Sequence, residues 1–312
     1  MMPHPVGTFH FIADRGDARL RLDQAIVRRG REVAGLSRNR AQAWIEAGAV
    51  RVDGREVRRP SSRIPEGSAI EVDLPEGVGV RATPLPEAGP LEILYEDAAL
   101  MALNKPAGLV VHPSYRNTTG TLLNALLGRL PHGSRPGIVT RLDKDTSGLV
   151  LVALTPGVHA AVQRAATAGL VKKEYLAVVK GVPSPRGGAI RLALGRDPGD
   201  RRRVVATGNA PTSETRYEVI EQDASRTWPT LSVLRCELIT GRTHQIRVHL
   251  AARGWPILGD RVYGEADEAI GRQALHAWRI GLPHPTTGEP ITIVAPLPAD
   301  MTTAFPGLNA GP

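Results

Sequence analysis

The sequence predicts an α+β protein with a mixed, mostly antiparallel sheet, preceded by a small α/β unit. Three observations carry this expectation. Short alternating apolar segments outnumber helical ones across residues 91–304. They do not alternate with helices in the regular way that builds a parallel sheet. A stretch rich in proline and glycine, residues 75–90, separates that segment from a compact arginine-rich unit over residues 17–74. A chain of 312 residues also has room for about two domains.

The first unit reads as two helices followed by short strands. Leu22, Ala25 and Ile26 follow helical spacing, and Arg28, Arg29 and Arg31 suit the negative end of that helix. Ser37 is a natural N-cap for a second helix with Ala41, Trp44 and Ile45 on its inner face, and Gly48 stops it. Val50 and Val52 then alternate, Asp53-Gly54 turns, and Gly67 precedes a strand over Ile70 to Val72. Residues 75–90 cannot hold a regular element and read as a semi-extended linker.

Beyond the linker, strands are expected at Ile93 to Tyr95, Leu100 to Leu103, Leu149 to Ala153, Tyr175 to Val179, Arg216 to Ile220, Leu231 to Leu238 and Ile291 to Ala295. Helices are expected at Leu122 to Gly128 and Val158 to Ala168. Phe305 to Pro312 read as a frayed tail. Neither a G-x-G-x-x-G nor a Walker loop occurs, so the common nucleotide cradles are not expected.

Net charge is +8, which points to a polyanionic partner such as nucleic acid. Residues 15–63 hold thirteen arginines against six acids, a surplus of seven, so nearly all of the net charge falls in the first unit. With arginines on helix faces, that unit reads as an RNA-docking module with Arg28, Arg29, Arg38 and Arg40 as contacts; a solvated basic face is the plainer reading. There is no apolar run of about 18 residues, and the N-terminus lacks a signal-peptide core, so a cytoplasmic protein without a membrane partner is expected. The lone Cys236 excludes an intrachain disulfide and any cysteine-rich metal site; it reads as a buried strand thiol.

The most informative segment is Gly137-Ile-Val-Thr-Arg141-Leu-Asp143-Lys-Asp145-Thr-Ser-Gly148. Two hydroxyls and a glycine just after an acid suggest a tight turn that fixes one carboxylate at a strand end. Strand alternation would send Arg141 and Asp143 to one face and into one pocket. Taken alone, the pattern also fits a surface turn with an ordinary ion pair. Three more clusters stand at expected strand ends or turns. They are Asn104-Lys105-Pro106-Ala107-Gly108 with Val111-His112-Pro113; Lys172-Lys173-Glu174-Tyr175; and Gly241-Arg242-Thr243-His244-Gln245-Ile246-Arg247-Val248-His249, running into Gly259-Asp260-Arg261-Val262-Tyr263-Gly264. His112 before Pro113 fixes a turn or touches phosphate. The run Arg201-Arg202-Arg203 reads as a solvated loop or a phosphate contact. His244 and His249 are five apart, not a zinc spacing, and no metal site is expected.

In this order the four clusters resemble the pseudouridine synthases of the large-subunit ribosomal (RluA-like) branch. The first unit resembles the S4 RNA-binding domain through Arg21-Leu22-Asp23, Ser37-Arg38-Asn39-Arg40-Ala41-Gln42 and Gly48-Ala-Val50-Arg-Val52-Asp53-Gly54. The Thr-His of the Arg247 motif separates this branch from the small-subunit branch. The resemblance implies Asp143 as catalytic aspartate, Tyr175 as active-site tyrosine, Arg247 as the basic residue paired with that aspartate, and Arg141 beside the flipped nucleotide. Thr140 departs from a histidine common in the family. The implied reaction detaches uridine at C1′–N1 and rejoins it through C5, needing no metal, nucleotide or flavin. Asp143 would attack C1′ or draw a proton from C2′, and sequence leaves both routes open. Arg247 would keep Asp143 ionised and aimed; Tyr175 would offer a ring to the uracil and a hydroxyl for the C5 proton. Large-subunit ribosomal RNA is the expected partner, with transfer RNA the alternative and a monomer the expected state. A glycosidase would need a second carboxylate at set separation, an aspartyl phosphotransferase a metal-binding acidic cluster, and a non-catalytic RNA binder no such Asp-Tyr-Arg set.

Overall fold

The structure is a computed structural model that describes residues 7–30, 33, 36–74, 84–113, 117–200, 203–208, 210–223, 230–306 and 308. It divides into two compact units, Met1–Thr83 and Pro84–Pro312.

The first unit contains β1 (Gly7–Ile12), α1 (Leu22–Arg29), α2 (Arg38–Glu46), β2 (Val50–Val52), β3 (Arg55–Glu56) and β4 (Ala69–Leu74). The strands form an antiparallel sheet in the order β1-β4-β2-β3. Leu22, Ala25 and Ile26 of α1 and Ala41, Trp44 and Ile45 of α2 bury against Val50, Ile70 and Val72. Each large apolar side chain buried in this way contributes about 1.5–3 kcal/mol. Ser37 caps α2 by accepting the Arg40 amide at 3.3 Å. Asp53 and Gly54 both take positive φ (50° and 75°), the geometry of a two-residue hairpin turn, and join β2 to β3. Strand β1 lies upstream of residue 17, where the unit was expected to begin.

The second unit contains β5 (Ile93–Glu96), β6 (Leu100–Lys105), α3 (Leu122–Arg129), β7 (Gly137–Ile138), β8 (Ser147–Ala153), α4 (Pro156–Thr167), β9 (Lys172–Lys180), β10 (Gly187–Arg196), β11 (Val204–Ala206), β12 (Thr212–Asp223), β13 (Leu231–Leu238), α5 (Gln245–Ala252), β14 (Leu275–Pro283), β15 (Pro290–Val294) and α6 (Ala299–Ala304). Its sheet runs β11-β10-β12-β13-β9-β14-β8-β6-β5, with β15 on β14 and β7 on β8. Every described pairing is antiparallel except β14 with β8. The mixed, mostly antiparallel sheet is as expected.

Strand β8 is covered on both faces. Leu149, Leu151 and Ala153 belong to one apolar cluster, Val150 and Val152 to the other. This explains the unbroken apolar run in the sequence, since alternation is lost where both faces are dry. Gly148 opens the strand at φ 107°, and a Cβ there would lie 2.2 Å from the Ala277 carbonyl oxygen. Only glycine lets β8 and β14 approach this closely.

Several expectations are corrected. Residues 141–143 are irregular backbone, not strand, so alternation does not govern where Arg141 and Asp143 point. Residues 245–252 form α5 rather than a strand end; six consecutive residues, Gln245 to Leu250, are buried, so no amphipathic stripe marks the helix. Phe305 and Leu308 are not frayed but packed into the main apolar cluster. Residues 309–312 lie outside the described residues, as do residues 75–83 of the expected linker. Residues 84–90 run without regular structure yet are fastened to α3. There Asn124 Nδ2 donates to the Leu85 carbonyl at 2.8 Å, and the Glu87 carboxylate accepts the Gly120 amide at 2.8 Å.

Candidate active site

The turn before β8 is held at several of its polar groups. The Lys105 ammonium, fully buried at the end of β6, donates to the carbonyls of Pro106, Leu109 and Lys144 at 2.7–2.9 Å. Burial pushes Lys105 down to about 8, while three acceptors match the three donors of an ammonium at pH 7. Arg272 donates to the Asp145 carbonyl at 3.2 Å, and Gln273 Nε2 to Thr146 Oγ1 at 3.2 Å. Thr140, the departure from the family pattern, accepts the Leu151 amide at 2.8 Å through its hydroxyl. Four tethers leave the backbone around Asp143 little freedom.

Asp143 faces an inner pocket of about 60 Å³ shared with Arg141, Tyr175, His244 and Arg247. A wider cleft of about 550 Å³ continues from it, and His112, Lys173 and Arg242 line that cleft together with Arg141 and Asp143. Asp143 Oδ2 accepts from Arg247 Nη1 at 3.0 Å. The same guanidinium grips Asp260 with two bonds, Nε to Oδ2 at 2.7 Å and Nη2 to Oδ1 at 2.8 Å. Exposure ranks the three: 26% for the Asp143 side chain, 6% for Arg247 and 0% for Asp260. Arg247 is thus neutralised from below by Asp260 and presents its remaining edge to the partly open Asp143. Burial disfavours its charge, but Asp260 and then Asp143 outweigh that and hold it above its ordinary value. Asp260 is disfavoured by burial too; Arg247 and the Val262 and Tyr263 amides hold it below the usual carboxylate range.

Tyr175 enters from β9, 7% exposed. Burial, reinforced by the Asp143 charge, pushes its phenol well above its ordinary value. Tyr175 thus brings a flat ring, with its hydroxyl, to the pocket that holds Asp143. The ring of Tyr263 lies beneath Arg247, 5.1 Å from the guanidinium carbon to the ring centre.

The expected residues therefore fall in two places. Asp143, Tyr175, Arg247 and Arg141 share the inner pocket, and the exposed His112 lines the wider cleft. Arg28, Arg29, Arg38 and Arg40 belong to the first unit. Arg28 and Arg29 brace on the buried Asp17 at 2.6 and 2.7 Å, Arg38 on the buried Asp23 at 3.0 Å, and Arg40 lies over Trp44. Part of the arginine surplus is therefore spent on internal ion pairs. Arg201 and Arg202 lie outside the described residues, and Arg203 lies over the Tyr263 ring at 5.8 Å.

Asp260, Tyr263 and His244 were present in a quoted cluster but had been given no role. The signal available was Gly-Asp-x-x-Tyr-Gly just after the Arg247 helix; what it could not tell is that Asp260 reaches back across thirteen residues. Among the described residues no group of three or more His, Cys, Asp or Glu is arranged to hold a metal ion. Cys236 is buried, and burial pushes its thiol up to about 12, an inert side chain.

Known proteins resemble both units of the chain. The RNA pseudouridylate synthase family matches residues 99–252, and the S4 domain matches residues 20–70. The chain is 40% identical to the ribosomal large subunit pseudouridine synthase D of Nitrosomonas europaea, over 94% of this chain and 85% of that one. It is 41% identical to the protein of the same name from Neisseria meningitidis serogroup B, over 85% and 73%. An uncharacterized RNA pseudouridine synthase of Bacillus subtilis is 38% identical over 88% and 90%. Among solved structures, human RNA Pseudouridylate Synthase Domain Containing 1 superposes with a TM-score of 0.55 at 29% identity, covering 68% of this chain and 86% of that one.

Proposed function

The chain belongs to the RNA pseudouridylate synthase family, with an S4 domain before the catalytic unit, and from that premise we propose that it isomerises uridines of large-subunit ribosomal RNA at Asp143. The observation that carries the reading is the fork of Arg247 between a buried Asp260 and a pocket-facing Asp143, with Tyr175 alongside. Relatives named for the ribosomal large subunit support the choice of RNA.

In this reading a target uridine leaves its stack at a cost of a few kcal/mol. The wider cleft is of the size that small ligands fill, about 300–1,000 Å³. Arg141, Lys173 and Arg242 line it with no carboxylate partner for any of the three side chains among the described residues, so they are free for phosphate and for holding the extruded state. Asp143 attacks C1′ or takes the C2′ proton; the detached uracil turns on the Tyr175 ring and rejoins through C5. The C5 proton is then released to the Tyr175 hydroxyl, to Asp143 or to water. The residues that do this belong to the chain itself, and the reading calls for no cofactor.

The first unit docks RNA through the outer edges of Arg28, Arg29, Arg38 and Arg40, with His112 touching backbone at the cleft. The protein acts as a monomer, RNA supplying the large interface. It works in the cytoplasm; no helix among the described residues is long and apolar enough to cross a membrane. The test is to incubate the protein with transcripts of bacterial large-subunit ribosomal RNA and of transfer RNAs, then map pseudouridine by carbodiimide-stop primer extension. Stops in the ribosomal transcript are expected. Stops confined to transfer RNA would replace the substrate, and none in either would overturn the activity.

A further inference from the structure

His244 immediately precedes α5 in a left-handed backbone conformation, φ 54° and ψ 17°. A non-glycine residue adopts this conformation only when its surroundings enforce it, and such residues cluster at functional sites. Its imidazole is directed into the inner pocket, where Nε2 lies 3.8 Å from Asp143 Oδ2. That is about 0.6 Å too long for a hydrogen bond. On its other side, Nδ1 lies 2.8 Å from the Tyr263 hydroxyl.

That hydroxyl already accepts the Val204 amide at 2.8 Å. A phenol has one proton, and with an acceptor site filled by Val204, the proton is satisfied by donation to His244 Nδ1. The imidazole then carries its own hydrogen on Nε2, toward Asp143. Tyr263 is held for this task on three sides. Arg247 lies over its ring, His244 meets it edge-on at 5.6 Å, and its amide donates to Asp260 at 3.2 Å. The same Asp260 that steadies Arg247 thus steadies the residue orienting His244.

We propose that His244 is a positioning residue for Asp143, offering a neutral Nε2–H as the second donor to its carboxylate, and that Tyr263 fixes the tautomer that makes this so. The inference deepens the proposed function and rests on Asp143 being the reacting carboxylate. When a nucleotide fills the pocket and displaces water, a shift of under an ångström brings Oδ2 onto Nε2–H, so the carboxylate is gripped by Arg247 and His244 together. A neutral donor orients the carboxylate without cancelling its charge, which an imidazolium would do. Burial holds His244 below its ordinary value; the carboxylates of Asp143 and Asp260 pull the other way, and the guanidiniums of Arg247 and Arg196 oppose its protonation.

The test has one arm in the free protein and one in turnover. In the free protein, long-range ¹H–¹⁵N correlation of the histidine rings should show His244 protonated at Nε2 and bare at Nδ1. Tyr263→Phe should lose that single-tautomer pattern. A proton on Nδ1 in the wild type overturns the inference whether or not the protein has the proposed activity. In turnover on a ribosomal transcript, absence of wild-type activity would count against the proposed function and leave the tautomer result standing. With activity present, His244→Ala should lower kcat about 10- to 100-fold with KM within about threefold. His244→Gln, whose amide nitrogen reaches the place of Nε2, should recover most of it. Tyr263→Phe frees Nδ1 to take a proton, so the acid limb of its kcat–pH profile should move to higher pH. A His244→Ala enzyme with wild-type kcat, or a Tyr263→Phe profile superimposable on wild type, would overturn it.

Discussion

Asp143 and Asp260 bond the same guanidinium, yet substitution of each should fail in opposite ways. In Asp260→Asn the amide can still accept from Val262 and Tyr263, but Arg247, 6% exposed, loses the charge that balances it. At a charge separation of about 4 Å and an effective dielectric of about 20, that attraction is about 4 kcal/mol. Removing one partner of a buried pair costs about 3–5 kcal/mol. Asp143→Asn removes the charge behind a single 3.0 Å bond, at a side chain 26% exposed, and leaves the Asp260 grip whole, so about 1 kcal/mol or less is expected. Urea titration followed by near-ultraviolet circular dichroism reads the difference. With a slope of roughly 2–3 kcal/mol/M, Asp260→Asn should lower the midpoint of the catalytic unit by about 1–2 M. Asp143→Asn should unfold with the wild type while losing turnover. An Asp260→Asn midpoint within about 0.3 M of wild type would refute the reasoning, as would equal losses for the two variants.

Three other perturbations probe the surrounding structure. Gly148→Ala forces a Cβ to 2.2 Å from the Ala277 carbonyl oxygen at positive φ, so it should cost about 3 kcal/mol or more, read as a lower melting temperature; a neutral result would mean β8 and β14 can part freely. Lys173→Met removes a cleft ammonium whose protonation burial already disfavours; the slope of log K against log salt for a ribosomal transcript should shrink by about 0.7–0.9, and an unchanged slope would exclude a phosphate contact. Deleting residues 1–83 should weaken transcript binding steeply as salt rises while the remainder keeps its fold by circular dichroism; equal affinity across the titration would remove the docking role.

What could be read in advance follows from what local sequence encodes. The helix cap at Ser37, the Asp53-Gly54 turn and the strand over Leu231 to Leu238 are local, and each forms as expected. Strand β14 was not among the expected strands; Leu275 to Trp278 are buried in succession at the centre of the sheet, so a period of two shows only over the short stretch Arg279 to Pro283. Helix α5 was missed for the matching reason, with its branched Ile246 and Val248 adding a strand-like signal. The site shows the same divide. Asp143, Tyr175 and Arg247 could be named because their motifs resemble a family, although the alternation argument for Arg141 and Asp143 rested on a strand that does not exist there. Asp260 and Tyr263 stand in a Gly-Asp-x-x-Tyr-Gly run that shows in the sequence, but the partner of Asp260 thirteen residues back does not, and the pinning role of Lys105 rests on a contact with Lys144 thirty-nine residues away.

The most direct test of the account is tritium release from ribosomal RNA carrying 5-tritiated uridine, since forming the bond to C5 expels the hydrogen there. Wild-type protein should release tritium with no added metal or cofactor, and Asp143→Ala should release none above background while still binding the RNA. Release by Asp143→Ala at the wild-type rate would contradict the assignment of the reaction to this carboxylate.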